Sequence, residues 1–372
     1  MHDHLDPPRR LTGSRASHLR RGLAAALAAG ALVGLQVGLV TSPAQAAGKG
    51  AAHQGAYVQT DLVSDVPGRA QVTDPNLVNP WGVSFGPATP LWTANEGTAT
   101  STLYRGGAPG MPAAAVPLVV PTPPHSTGTV FNPTADAFAL PDGTVSRFLF
   151  DDLGGSISAW APGKPAATPV VTVPGASFTG LSVAVTEAGP RLYAADAAGN
   201  VVRVFDGSFR QVGELRSSGL PAGLSVYNVH VLGDSIYVTY APPPGVESSV
   251  GGAIDLFKAD GRFLRHLVIG GPLDGPWGLA IAPRHWGPFA RDLLVGNEDS
   301  GQINAFNPRT GSYDGTVADA SGMPITNDGL WGIAFGNGVI ATPDTLIVAA
   351  GIDEYQHGLV AAITPTRVRA AD

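Results

Sequence analysis

Cysteine is absent from this chain of 372 residues. No disulfide can brace the fold and no thiolate can ligate a metal or carry a lipid anchor, so stability has to come from a packed core. Charge is sparse, at 14% of residues, and its balance is acidic, with a net of −7. That is too little charge for a disordered chain, and too few clustered Lys and Arg for nucleic-acid binding. Long polar helical stretches and heptads are missing. Also missing are a G-x-S-x-G elbow, an H-E-x-x-H pair, a P-loop, and a G-x-G-x-x-G beside a strand–helix unit. The run Asn297-Glu298-Asp299-Ser300-Gly301 is too short for an EF-hand loop. No complete catalytic motif therefore announces an activity.

What the chain has instead is glycine (49), proline (33) and 44% hydrophobic residues. That mixture suits many short buried strands joined by tight turns. The strands repeat. Asn79-Pro80-Trp81-Gly82-Val83-Ser84-Phe85 returns as Gly275-Pro276-Trp277-Gly278-Leu279-Ala280-Ile281 and as Gly329-Leu330-Trp331-Gly332-Ile333-Ala334-Phe335. Trp277 and Trp331 are 54 residues apart, the period of one four-stranded propeller blade. Apolar runs place six such units between Asn79 and the end, with Ala135–Leu140, Ser146–Phe150 and Ser156–Trp160 as the strands of the second. The last unit is one strand short, whereas Tyr57–Val63 is a surplus strand before the first. The fold class expected is an all-β, six-bladed propeller over 57–366, its ring closed by that N-terminal strand to remove a free edge. The tryptophans of the repeats are expected to pack between blades.

Residues 1–46 read as a separate object. Arg9, Arg10, Arg15, Arg20 and Arg21 precede the apolar run Leu23–Val40 and the small-residue site Ala44-Gln45-Ala46. Those are the three parts of a secretory signal peptide, by the Sec route or, given Arg20-Arg21, the twin-arginine route. Residues 47–56 would then be a flexible mature N-terminus and 367–372 a polar tail. Cleavage removes five arginines and two aspartates, which moves the net charge from −7 to −10. The expected product is extracellular, monomeric, and free of membrane and nucleic-acid contacts.

In a propeller, the loops entering inner strand A and the loops joining strands B and C open on one face around the axis. On this chain those loops hold Asn79, Glu96, Asp196, Glu298, Asp328, Glu354 and His357, while Asn228 and His230 lie early in the fourth strand A. Asn79, Glu96, Asn228 and Asp328 are the candidate ligand-binding residues. Asp196, Glu298 and Glu354 are candidate metal ligands, for which oxygen donors favour Ca²⁺ over Zn²⁺. His230 and His357 are the candidates for acid–base work. The competing reading is that each Asp or Asn merely satisfies a tight turn through its own backbone.

Leu77-Val78-Asn79-Pro80-Trp81-Gly82, Gly128-Thr129-Val130-Phe131-Asn132 and Asp328 through Asn337 resemble an uncharacterised family of secreted bacterial proteins. The closing Ala350-Gly351 through Glu354, then His357-Gly358-Leu359, is similar to that family's C-terminal signature. The resemblance spans about residues 57–364 and implies an NHL-like six-bladed propeller without a defined activity. Two functions stay open. One is a binding or interaction module for an extracellular ligand or protein, working through the channel mouth. The other is a divalent-metal-dependent hydrolase or lyase, lactonase-like, in the channel.

Overall fold

A computed structural model describes residues 56–366. The leader read in 1–46, nearly all of the 47–56 segment and the 367–372 tail lie outside the described residues. Six antiparallel sheets form the described chain, five of four strands and one of five. Blade 1 consists of Pro80–Ser84, Leu91–Asn95, Thr100–Arg105 and Ala114–Pro121, named A to D from the axis outward. Blade 2 follows with Ser126–Phe131, Phe148–Asp152, Ser156–Trp160 and Thr168–Thr172, and blade 3 with Phe178–Thr186, Gly189–Asp196, Val201–Asp206 and Gln211–Leu215. Blade 4 is Ser225–Leu232, Ser235–Ala241, Ala253–Lys258 and Phe263–Ile269, and blade 5 is Pro276–Ile281, Leu293–Asn297, Ile303–Phe306 and Tyr313–Thr316.

Blade 6 takes Leu330–Phe335, Leu346–Ala350 and Leu359–Pro365 from the C-terminal end and Tyr57–Ser64 from the N-terminal end. The joint runs in antiparallel register from Tyr57 opposite Pro365 to Ser64 opposite Leu359. The ring is therefore closed as the sequence predicts, and a short strand, Val72–Thr73, adds a fifth member by parallel pairing. Tyr57 locks the joint from below. Its ring lies 4.5 Å from Trp286 and 6.0 Å from Phe289, and its hydroxyl donates to the Trp286 carbonyl.

The six inner strands share one device. In each blade the A–B pairing slips at the same place, between Pro80 and Val83 in blade 1 and between Leu330 and Ile333 in blade 6. The other four blades match. These bulges turn the residue at the slip toward the axis. The following position is Gly82, Gly128, Gly180, Asn228, Gly278 or Gly332; at Gly82, Gly128, Gly278 and Gly332 adjacent inner strands touch backbone to backbone, and Gly180 lies against the Asn228 side chain. A methyl group on Gly278 would stand 2.4 Å from the Trp331 carbonyl, and one on Gly332 would stand 2.7 Å from the Trp81 carbonyl.

One strand differs from the sequence reading. Strand A of blade 2 is Ser126–Phe131, and Ala135–Leu140 belongs to the A–B connection. Phe138 and Leu140 are apolar because that connection is buried between blades 2 and 3, where Phe138 meets Phe209 at 5.4 Å. Phe138 has φ of 59°, which no regular strand allows.

Two substitutions test this architecture. Gly278→Ala should lower the unfolding free energy by about 3 kcal/mol through forced separation of blades 5 and 6. Gly213→Ala, whose methyl group meets nothing within 4 Å, should stay within about 0.5 kcal/mol of wild type. Equal effects in urea titrations would dismiss the close-approach argument. Tyr57→Ala should cost about 3 kcal/mol or more, since a large buried aromatic leaves the joint.

Candidate functional site

The bulge positions place Trp81, Thr127, Thr179, Tyr227, Trp277 and Trp331 around the axis, one from each blade. The three tryptophans form a layer across it. Trp81 and Trp331 stack at 3.7 Å, and Trp277 meets both edge-on at 6.3 and 6.0 Å. Trp277, from blade 5, reaches far enough to donate its Nε1–H to the Thr179 carbonyl of blade 3. All three rings are buried. They do not pack between blades, as the sequence suggests; that role falls to Trp92 and Trp160.

This layer divides the axis in two. On one side is the rim formed by the loops entering strand A and joining B to C. Asn79 is buried there in a left-handed conformation, φ 45°. It accepts from Trp331 Nε1 and donates to Glu96, which also pairs with His125. His357 pairs with Asp65 at 2.7 Å, and that carboxylate raises the imidazole above its ordinary range. Asp328 and Glu354 are exposed. Asp353, Glu354 and Tyr355 have φ of 53°, 56° and 66°, a left-handed run that brings Tyr355 over Trp331. Such a run is strained for residues other than glycine.

Glu298 is buried at this rim, between the hydroxyls of Tyr227 and Tyr355, which donate to its two oxygens. Burial, reinforced by the neighbouring Asp299, pushes its carboxyl up to about 8. Asp196 is held differently. Its oxygens accept from the backbone of Ser177 and Gly199 and from Arg203, so it stitches a turn and a strand together. Asp152 caps its own loop in the same way, and Asn297 accepts from the Asp274 backbone of the loop entering strand A. Among the described residues, no group of three or more His, Asp and Glu side chains stands close enough to hold a metal ion. Asp196, Glu298 and Glu354 do not converge.

On the other side of the tryptophans lies a channel of about 440 Å³ lined by inner strands of all six blades. Asn228 and His230 line it, together with Trp277. The channel continues toward the A–B loops, at Ser84, Leu232, Gly233, Ile281 and Phe335. These two residues are thus separated from the rim with which the sequence grouped them. Each bonds the Trp277 carbonyl, Asn228 through Nδ2 at 3.1 Å and His230 through Nε2 at 3.0 Å. Burial pushes His230 down to about 4, so it is neutral at ordinary pH.

The sequence reading missed Tyr227 and Tyr355, which hold Glu298, and Ser84, Thr129 and Ser182 of the channel. Alignment of Tyr227 with Trp81, Trp277 and Trp331 could have found the first. Nothing local marks Tyr355.

No protein-family model matches the chain. An uncharacterized protein of Acanthamoeba polyphaga mimivirus, R648, is 31% identical over 333 residues, covering 82% of this chain and 80% of its own length. A second from the same virus, L690, is 27% identical over 321 residues, with 79% and 82% covered. The family expected from the sequence was bacterial; these relatives are viral. Among solved structures, a streptogramin B lyase superposes with a TM-score of 0.52 at 9% identity, covering 84% of this chain and 98% of that one. That likeness is one of fold.

The two perturbed groups give opposite pH dependences. Glu298 binds a proton more tightly folded than unfolded, so its contribution is present below about 4.5 and is lost as pH rises toward 8. His230 binds a proton less tightly folded, so stability falls as pH drops from 6.5 toward 4. Urea midpoints across pH 4–9 should show a shallower alkaline decline in Glu298→Gln and a shallower acid decline in His230→Leu than in wild type. Each slope should be worth a few kcal/mol at most.

Proposed function

The chain belongs to the family that includes the mimivirus protein R648, and we propose that it acts as a ligand-binding module whose site is the axial channel. In this reading the ligand enters from the face of the A–B loops and comes to rest against Trp277. The observation that carries the proposal is the make-up of the channel wall. Where the inner strands point inward past the bulge, five blades present small side chains, Ser84, Val130, Ser182, Ala280 and Ala334, and one presents the imidazole of His230. A cavity of about 440 Å³ falls within the roughly 300–1,000 Å³ typical of small-molecule sites, which pair apolar walls with a few placed polar groups.

Binding is favoured over hydrolysis by the state of that imidazole. A group pushed down to about 4 is a weak base and carries no proton to donate at neutral pH. No carboxylate lines the channel to assist it. Export is part of the proposal and is supported by the basic and apolar pattern of residues 1–46. The acidic composition supports a partner other than nucleic acid.

Ala334→Phe, at a partly exposed position of the channel wall, should fill the channel. A thermal-shift screen of small organic compounds should yield ligands that stabilise wild type by about 2.7 kcal/mol at a hundred times Kd. They should leave Ala334→Phe unmoved. Ligands that stabilise both proteins alike would place binding elsewhere and end this reading.

A further inference from the structure

The protein's own hydrogen bonds leave the channel with a defined appetite. No Lys, Arg, Asp or Glu lines it. Asn228 is held by the fold: its Nδ2 donates to the Trp277 carbonyl and its Oδ1 accepts from the Val229 backbone at 2.7 Å. Ser84 and Thr129 bond each other at 3.2 Å. Ser182 accepts from the Val231 backbone, which leaves its hydroxyl hydrogen unassigned.

His230 is the exception. His230 Nε2 stands 3.0 Å from both the Trp277 carbonyl and Asn228 Nδ2; the amide donates to that same carbonyl, so the two nitrogens share it as acceptor and Nε2 carries the ring's hydrogen. In the neutral imidazole the other nitrogen, Nδ1, is then a bare lone pair. It has no hydrogen-bond partner among the described residues, beside a cavity whose wall is mainly apolar. A strong acceptor left unpaired at such a site favours a ligand that supplies the missing donor, and penalises one that cannot. The Ser182 hydroxyl, on the neighbouring blade, can in turn donate to that ligand's own oxygen.

We infer that the channel takes an uncharged, mainly apolar molecule bearing a hydroxyl or N–H group, which donates to Nδ1 of His230. An ionic ligand of either sign finds no countercharge there and loses its hydration on entry. This rests on the reading of the channel as the ligand site, and it adds the chemical class.

Three fluorescent probes of one skeleton test it on the full chain. N-phenyl-1-naphthylamine is uncharged and has one N–H. Its N-methyl derivative lacks the donor, and 8-anilino-1-naphthalenesulfonate adds an anionic group. In wild type the first should bind about ten-fold more tightly than the N-methyl derivative, the gain of one hydrogen bond of about 1.4 kcal/mol, and also more tightly than the sulfonate, whose charge finds no partner in the channel. In His230→Leu the advantage over the N-methyl derivative should vanish. Equal binding of the three probes by wild type, or a donor preference that survives in His230→Leu, would overturn the ligand class. Failure of the parent amine to bind at all would also overturn it. If His230→Leu does not fold, the wild-type comparison alone decides. Parent-amine binding that persists in Ala334→Phe is a different result: it removes the channel as the site, and the inference with it.

Discussion

The contact on which this structure depends is backbone against backbone at the axis. Six inner strands meet around a ring in which five of the six positions are glycine and the sixth is Asn228. The glycines let each blade approach the next until a Cβ atom would collide with its neighbour's peptide. Asn228 takes its place by a different route. Its side chain fills the gap between blades 3 and 5, close against Gly180 on one side and bonded to the Trp277 carbonyl on the other. The ring is therefore continuous but not symmetric, and its one polar position is where the channel becomes chemically distinct. Closure by Tyr57–Ser64 is the second half of the same constraint, since strands held this close have no tolerance for an open edge.

The bulges convert that tight ring into two compartments. By turning one residue per blade onto the axis, they gather three indoles into a layer that a straight strand could not have presented. Hydrogen bonds from Trp277 to blade 3 and from Trp331 to Asn79 then fix the layer across the ring. Stability and site construction are here the same event.

Much of this was legible in the sequence. The Trp-Gly repeat, its period and the displaced first strand suffice for the blade count and the closure, because one glycine and one bulge recur at each inner strand. Blade 2 was misplaced for a physical reason: Phe138 and Leu140 are buried as a strand would be, but by inter-blade packing. Asp196 shows the limit for sites. A carboxylate that caps a turn and one that awaits a ligand have the same sequence signature, and only its bonds to Ser177, Gly199 and Arg203 separate them. The division between rim and channel was not legible either. It depends on Trp277 and Trp331 crossing the axis, which is a matter of side-chain direction at a bulge and not of spacing.

That division explains why two titratable groups near one axis can be driven in opposite directions. Glu298 is raised by burial and by Asp299 and Asp274, all on the rim. His230 is lowered by burial, and no carboxylate contributes to its shift. Were the two in one compartment, Glu298 would be stabilised as an anion by a protonated imidazole and His230 as a cation by the carboxylate, and each would move back toward its ordinary value. The indole layer keeps them apart, so each remains neutral near pH 7, Glu298 by keeping its proton and His230 by lacking one. An uncharged channel behind an acidic rim is the direct outcome, and it follows from three side chains that the ring's close packing forces together.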